Sequence, residues 1–171
     1  VSPGFSSASA VGLPQPNEAF RAAWGTSPAC PASYRLEVMG SQQLAALGAV
    51  GTISSVDLRR HHPDLMQRTH DLPHTAVAKR EINAANLEAL EREIRAARVL
   101  ANGRGLLAIN VMRAVNAYAA SVRQALEAGI DAVVVGAGLP LDLPDLAQDH
   151  PRAALVPILS DARGVQLVVK K

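Results

Sequence analysis

The chain has 171 residues, of which 49% are hydrophobic and 19% charged. This composition is typical of a globular domain with a substantial core and not of a disordered segment. Seventeen Lys and Arg residues stand against fifteen Asp and Glu residues, so the net charge is only +2, and the basic residues are scattered along the chain. Nucleic acid and membrane surfaces are therefore not expected as partners.

Cys30 is the only cysteine, which excludes an internal disulfide and a zinc site built from several cysteines. Residues 1–16 lack the basic start and the unbroken apolar run of a signal peptide, and no stretch is apolar for long enough to cross a membrane. We therefore expect a cytoplasmic protein.

The first segment, residues 1–43, differs in composition from the rest of the chain. It is rich in Ser and Pro, its periodicity is poor, and it holds all the aromatic residues except Tyr118. Such a composition is typical of irregular chain. We predict an irregular or divergent N-terminal segment over residues 1–43 and one folded domain over residues 44–171.

Four short apolar runs in the second part have the length and β-branched content of strands. The run at residues 106–111 is apolar enough to be covered on both faces of a sheet. The predicted strands are Ala49–Ser54, Leu106–Val111, Ala132–Gly136 and Ala154–Leu159.

Amphipathic helices are predicted between these strands. Asn83–Ala101 carries apolar residues at helical spacing, with Asn83 or Asn86 available as its N-cap and Glu–Arg pairs four residues apart on its polar face. A second helix covers residues 115–126, and Gly129 stands where a left-handed residue would end it.

Two further stretches carry helix signals. Pro63 suits the first position of a helix after the first strand. Val165–Val169 is ambiguous, because its β-branched residues favour a strand, whereas Ser160 as a cap and the two terminal lysines favour a helix. We predict a helix, since each earlier strand is followed by a helix or by a helix-compatible link.

Alternation of short strands with helices predicts an α/β fold with a parallel sheet, either a barrel or a doubly wound sheet. A strand, a helix and a strand within about thirty residues form a βαβ unit, whose crossover is right-handed.

Functional residues of parallel α/β folds gather where strands end and loops begin. Four stretches occupy such positions: residues 52–55, 110–113, 136–140 and 160–163. Small and hydrogen-bonding residues at these turns would let a planar or anionic ligand approach the backbone.

Gly136-Ala137-Gly138 follows a predicted strand but is not a dinucleotide fingerprint, because Leu141 stands where a third glycine is needed. The pattern fits a tight turn or a ligand loop. Asn110 lies near the end of an apolar strand, where we expect a buried amide that needs hydrogen-bond partners. A ligand ring or the neighbouring backbone could supply them.

Other polar residues have simpler interpretations. His61 and His62 are adjacent, so their side chains diverge, and no Glu or Cys lies at ligand spacing, which argues against a metal site. Asp142 and Asp145 flank prolines and are expected to serve as turn or cap residues rather than as catalytic carboxylates.

The predicted strand ends resemble those of a known family, the nitronate monooxygenase (2-nitropropane dioxygenase-like) flavoproteins. The resemblance covers about residues 44–171, and its most specific part is the order Gly-Ala-Gly-Leu-Pro. The matching stretches are Leu47–Ser55, Ala108–Met112, Ala132–Pro140 and Val156–Asp161.

This resemblance implies an FMN-dependent (β/α)8 barrel of TIM type that oxidises alkyl nitronates with O₂, and close relatives are flavin-dependent enoyl-acyl carrier protein reductases. The small-molecule substrate would react with a flavin in the barrel. Asn110 would contact the flavin, with Thr52 and the turn of Gly136, Ala137 and Gly138 in the same pocket and Ser160 near it.

The sequence departs from the family pattern in three ways. The Gly-rich first strand of the family does not align with residues 31–43. Gly136 stands where the monooxygenases place a catalytic His, so no catalytic residue is assigned and a reductase-like relative fits better. The family holds the FMN phosphate with glycine-rich loops late in the barrel, downstream of Lys171.

A full barrel takes about 250 residues, so this chain is expected to form an incomplete one. An incomplete barrel leaves an apolar sheet face and strand edges uncovered, which favours association and makes a homo-oligomer possible. The leading hypothesis is an FMN-dependent oxidoreductase. The alternatives are an enoyl reductase-like protein, a non-catalytic α/β fragment or interaction module, and a doubly wound domain.

Overall fold

A computed structural model of the chain describes residues 43–73 and 75–170. The irregular segment predicted over residues 1–43 therefore lies almost entirely outside the described residues. The strands are β1 (Val50–Ser54), β2 (Leu106–Met112), β3 (Ala132–Gly136) and β4 (Ala154–Pro157). The helices are α1 (Pro63–Thr69), α2 (Ala76–Ala101), α3 (Tyr118–Glu127), α4 (Leu143–Leu146) and α5 (Ala162–Val169), and a 3-10 turn covers Leu58–His61.

The four strands form one parallel sheet in the order β1-β2-β3-β4. Doubly wound sheets reverse their strand order at a switch point, and the four strands described here show no such reversal. Consecutive order is what neighbouring strands of a parallel barrel have. The structure therefore shows an α/β fold that is compatible with part of such a barrel.

One face of the sheet is covered by helices. Alternate residues of β1, β2 and β3 are buried in one core cluster with residues of α2 and α3, because side chains of a strand point to opposite faces in turn. The strand residues of this core are Ile53, Leu107, Ile109, Val111, Val133 and Val135.

The opposite face of the sheet, called the bare face below, is covered by no described helix, although Ala108 at its centre is buried. Val50 and Leu106 are each 52% exposed, and Val156 on β4 is 44% exposed. The expectation that the second strand is covered on both faces is therefore wrong, since Asn110 and Met112 point to this open side. The apolar content of the strand did not show whether helices cover both of its faces or only one.

The two edges of the described sheet are β1 and β4, and the β4 edge is poorly suited to a further strand. The N–H groups of Ala154 and Ile158 donate to the main-chain oxygens of Asp131, just before β3, and of Val135, so the alternate positions between them face outward. Pro157 occupies one of these positions and has no N–H to donate.

The longest helix, α2, begins at Ala76, seven residues before the predicted start. Its N-cap is Thr75, whose side-chain oxygen accepts from the N–H of Ala78 at 3.1 Å. The prediction of Asn83 or Asn86 as cap is wrong. Asn86 lies inside the helix, and its side-chain oxygen accepts from the N–H of Arg59 at 3.1 Å, which fixes the 3-10 turn against α2.

Other helix predictions hold with small shifts. Pro63 opens α1, and Gly129 adopts the left-handed conformation (φ 85°) after α3. The ambiguous C-terminal stretch is helical, as α5, and its cap is Asp161 rather than Ser160. One Asp161 carboxylate oxygen accepts from the N–H of Gly164 at 2.7 Å.

A buried polar layer joins α1 and the 3-10 turn to α2. His62 Nε2 lies 3.1 Å from Glu93 Oε1, and Glu93 is fully buried. Burial raises the pKa of Glu93, and the hydrogen bond and charge of His62 offset only part of this effect. Arg59 donates to Thr69 Oγ1 at 3.1 Å in the same layer.

Two negative findings apply to the residues that the structure describes. None of their helices is long and apolar enough to cross a membrane. No group of three or more His, Cys, Asp or Glu residues among them could hold a metal ion.

Candidate functional site

The carboxyl ends of the strands form the rim to which the sequence assigned the site residues. Thr52 is the central residue of β1, two positions before the strand ends, and it is exposed on the bare face. Its partner across the sheet is Ala108 of β2. Thr52 therefore lies inside the bare face rather than on the rim itself.

Asn110 also lies on the bare face. It pairs with Ser54 of β1 and with Val134 of β3, and two strand residues follow it. The expectation of a buried amide is wrong, because Asn110 points to the side that no described helix covers. Among the described residues its side chain makes no hydrogen bond, whereas its main-chain oxygen accepts from the N–H of Ser55 at 3.0 Å.

The turn after β3 has an unusual backbone. Gly136 ends the strand, Ala137 has φ 56°, and Gly138 has φ 141°. A non-glycine residue in the left-handed region costs about 1–2 kcal/mol, so Ala137 stores local strain at this turn. The main-chain oxygen of Gly136 accepts from the N–H of Arg113 at 2.8 Å, which ties the turn to the end of β2.

Gly138 is required by space as well as by backbone conformation. A Cβ atom at this position would lie 3.0 Å from Cγ of Arg113 and 3.1 Å from its Cβ. The backbone of the turn therefore packs directly on the Arg113 side chain, and any larger residue would push that side chain aside.

A cleft of about 550 Å³ lies between this turn and the start of α5. Three of the predicted site residues, Ala137, Gly138 and Ser160, line it. Ser160 is exposed, and its hydroxyl donates to Asp161 Oδ2 at 3.4 Å. Much of the remaining wall is apolar: Leu139, Ile158, Leu159 and Leu167.

The six predicted residues thus fall into two groups. Ala137, Gly138 and Ser160 line one cleft at the rim, and Gly136 adjoins it. Thr52 and Asn110 lie on the bare face of β1 and β2 and do not line that cleft.

Sequence reasoning missed a cluster of three side chains at the same rim. Arg113 follows β2, Tyr118 opens α3, and Asp142 lies in the loop after β3. The guanidinium carbon of Arg113 lies 4.6 Å from the centre of the Tyr118 ring, and Arg113 Nε lies 3.3 Å from Asp142 Oδ1. We call these three residues the Arg113 cluster.

Three polar atoms of the Arg113 cluster are buried and make no hydrogen bond to a described residue. Arg113 Nε, Tyr118 Oη and Asp142 Oδ1 are all inaccessible to solvent and have no hydrogen-bond partner among the described residues. Burial raises the pKa of Tyr118 to about 12, the negative charge of Asp142 and the nearness of its carboxylate oxygen to the hydroxyl add to the rise, and Arg113 opposes it. Tyr118 is therefore a neutral phenol at physiological pH.

Asp142 lies in a turn and is the N-cap residue of α4, as the sequence predicts. Its side chain makes no capping hydrogen bond to α4 and instead faces Arg113. The sequence offered one weak signal for the cluster, namely that Tyr118 is the only aromatic residue of the predicted domain.

The opposite pole of the sheet has a structural role. Asp131 accepts from the N–H of Leu107 at 2.7 Å and pairs with Arg98 at 2.7 Å, which joins the start of β2 to the end of α2. Burial alone would raise the pKa of Asp131, but the bonds from Arg98 and from the backbone outweigh it and hold that pKa below its ordinary value.

Comparison with known proteins adds no identification. No protein-family model matches the chain, and no curated protein matches it. Functional inference therefore depends on the geometry above and on the resemblance of the strand ends.

Proposed function

We propose that this chain contributes four consecutive strands to a TIM-type (β/α) barrel and acts as an FMN-dependent oxidoreductase similar to the nitronate monooxygenases. One observation carries the proposal. An unpaired amide, that of Asn110, lies on an open apolar sheet face next to the strand that ends in the Gly136 turn.

The register of β2 and β3 supports a flat ligand at this position. Asn110 pairs with Val134, and Met112 pairs with Gly136, so the amide and the turn lie on neighbouring strands two positions apart. Alternate residues share a face, so Gly136 faces the same side as Asn110. A flavin ring edge carries both donors and acceptors, which an amide can match.

The residues fit an FMN ring better than they fit a metal or a nucleotide fingerprint. Asn110 would hold the ring edge, Thr52 would lie on the same face one strand away, and the backbone of Gly136–Gly138 would approach the ring closely. Ser160 would lie at the far side of the rim. When bound, FMN supplies hydride or electron transfer, and the protein orients and shields it. We assign no residue to the FMN phosphate.

Binding of FMN is the direct test. We expect the purified chain to show flavin absorbance after incubation with FMN and removal of free cofactor, and a higher unfolding midpoint with FMN, because a ligand of the native state stabilises it. Asn110→Ala should weaken binding about tenfold, which corresponds to about 1.4 kcal/mol. Asn83→Ala, an exposed change on α2, is the matched control. Colourless protein whose midpoint ignores FMN contradicts the proposal.

Within this flavoenzyme proposal, Gly136 favours an enoyl reductase-like reaction over nitronate oxidation. It occupies the place where the resemblance puts a catalytic His, and glycine cannot act as a general base. Oxygen consumption with an alkyl nitronate and pyridine nucleotide oxidation with an enoyl thioester separate the two reactions. Activity only with the nitronate would favour the monooxygenase.

A non-catalytic interaction module is the second candidate, and the bare face favours it. An exposed apolar sheet surface of this kind is typical of an interaction site. The test is the molecular mass in solution without FMN. Stable self-association that FMN neither strengthens nor weakens would favour the module over the enzyme.

A further inference from the structure

The Arg113 cluster holds a guanidinium group in a fixed position at the rim. We propose that Arg113 binds the carboxylate group of a small organic ligand whose apolar body lies in the neighbouring cleft. The cleft shares Ala137, Gly138 and Ser160 with the proposed FMN site, but the carboxylate contact at Arg113 lies outside that site and is tested without FMN.

The first support is immobilisation of the side chain. Tyr118 lies beneath the guanidinium at 4.6 Å, Asp142 lies 3.3 Å from Nε, and Gly138 packs on the aliphatic part. An arginine that is already ordered loses little side-chain entropy when it binds a ligand. Such restraint is uncommon for a long side chain that remains 39% exposed.

The second support is the pair of terminal nitrogens. Arg113 Nε is buried beside Asp142, so the exposed part of the side chain lies elsewhere. Within residues 43–73 and 75–170, neither terminal nitrogen of Arg113 makes a hydrogen bond, and the shortest contact of the ion pair with Asp142 is at Nε. Two such N–H groups form a planar fork that matches the two oxygens of a carboxylate.

The third support is the cleft beside Gly138, the residue whose backbone packs on Arg113; Arg113 adjoins this cleft and does not itself line it. Its walls include Leu139, Ile158 and Leu167, which suit an apolar body rather than a second charged group. Arg163 and Asp161 both line the cleft, so their formal charges cancel, and Arg113 is paired with Asp142 beside it. A monoanion is therefore not repelled, and its apolar part gains from burial.

Benzoate is a suitable probe, with benzamide as its neutral counterpart and inorganic phosphate as a different anion. The readout is the Nε–H signal of Arg113 in protein labelled with ¹⁵N-arginine, assigned by its loss in Arg113→Lys. We expect benzoate to shift this signal in a saturable way, benzamide to leave it in place, and phosphate to bind more weakly than benzoate.

Isothermal titration calorimetry gives the affinity in chains with and without the Arg113 signal, and affinity for benzoate should fall at least tenfold in Arg113→Lys, because a lysine keeps the charge but not the planar fork. Arg123→Lys, on the exposed side of α3, should bind as the native chain does. The proposal is overturned by equal shifts with benzoate and benzamide, by unchanged affinity in Arg113→Lys, or by tighter binding of phosphate. The comparison of the three probes uses the native chain and does not depend on the folding of any variant.

Discussion

Removal of the Tyr118 hydroxyl should stabilise the protein. Tyr118 is 2% exposed, and its buried oxygen has no hydrogen-bond partner among the described residues. A buried polar group without a partner costs about 1–3 kcal/mol. Tyr118→Phe keeps the ring beneath Arg113 and removes only this oxygen, so we expect the free energy of unfolding to rise by about 1 kcal/mol.

Urea denaturation followed by circular dichroism measures this change, and a thermal melt should show a rise of about 2–4 °C. Tyr118→Leu is the contrasting variant, because it removes the hydroxyl and also the ring on which Arg113 stacks. It should lower stability by about 1–3 kcal/mol through lost packing. The opposite signs separate the hydroxyl from the ring.

Alkaline pH provides a second measurement on the same residue. The pKa of Tyr118 is about 12 in the folded chain and about 10 in an unfolded one, so between these values only the folded state keeps the proton. Stability should therefore fall as pH rises from about 10 to 12, and Tyr118→Phe should fall less steeply. If Tyr118→Phe is less stable than the native chain by about 1 kcal/mol or more, the hydroxyl is hydrogen-bonded and this reasoning is refuted.

Three further changes test other parts of the structure. Gly138→Ala should cost about 1–3 kcal/mol in urea denaturation, because its φ of 141° and its 3.0 Å approach to Arg113 both exclude a side chain; unchanged stability would contradict the turn geometry. Asp131→Asn should cost about 1.5–3 kcal/mol at pH 7, where the ion pair with Arg98 is lost and a neutral amide oxygen replaces the carboxylate that accepts from Leu107. The folded pKa of Asp131 is lowered, so this stability is present above the ordinary pKa and is lost as pH falls through the folded pKa. The variant and the native chain should therefore converge in acid. Asp145→Asn, which changes an exposed carboxylate, is the control at pH 7. Val156 is 44% exposed, so Val156→Glu should change the free energy of unfolding by less than about 0.5 kcal/mol if the bare face is open to water. A larger loss of stability, together with a smaller mass in sedimentation, would show that a second copy of the chain covers this face.

Local pattern predicted the elements well where a single periodicity dominates. The third strand, Ala132–Gly136, was predicted with its observed limits, because the four apolar residues after Asp131 end at a glycine and so mark both ends of the strand. The start of α2 was missed, because residues 76–82 carry no strong amphipathic signal and the cap at Thr75 comes before them. A capping hydrogen bond is a local feature, but several residues near Thr75 could have made one.

The environment of Asn110 shows a different kind of error. The sequence predicts an apolar strand around it, and this is correct, but the number of covered faces depends on where the helices pack. The described helices that contribute to the core pack on the side of Ile109 and Val111, which leaves Asn110 exposed on the other side. A period of two assigns residues to faces without saying which face is covered.

By itself the sequence determined the alternation of strands and helices, the parallel α/β class, the left-handed residue after α3 and the helical state of α5, because each follows from spacing and residue type within a few positions. Tertiary structure alone decided the strand order, the open sheet face and the Arg113 cluster. Arg113 and Asp142 are distant along the chain and meet only because neighbouring parallel strands bring their carboxyl ends to one edge, a contact that no local pattern records.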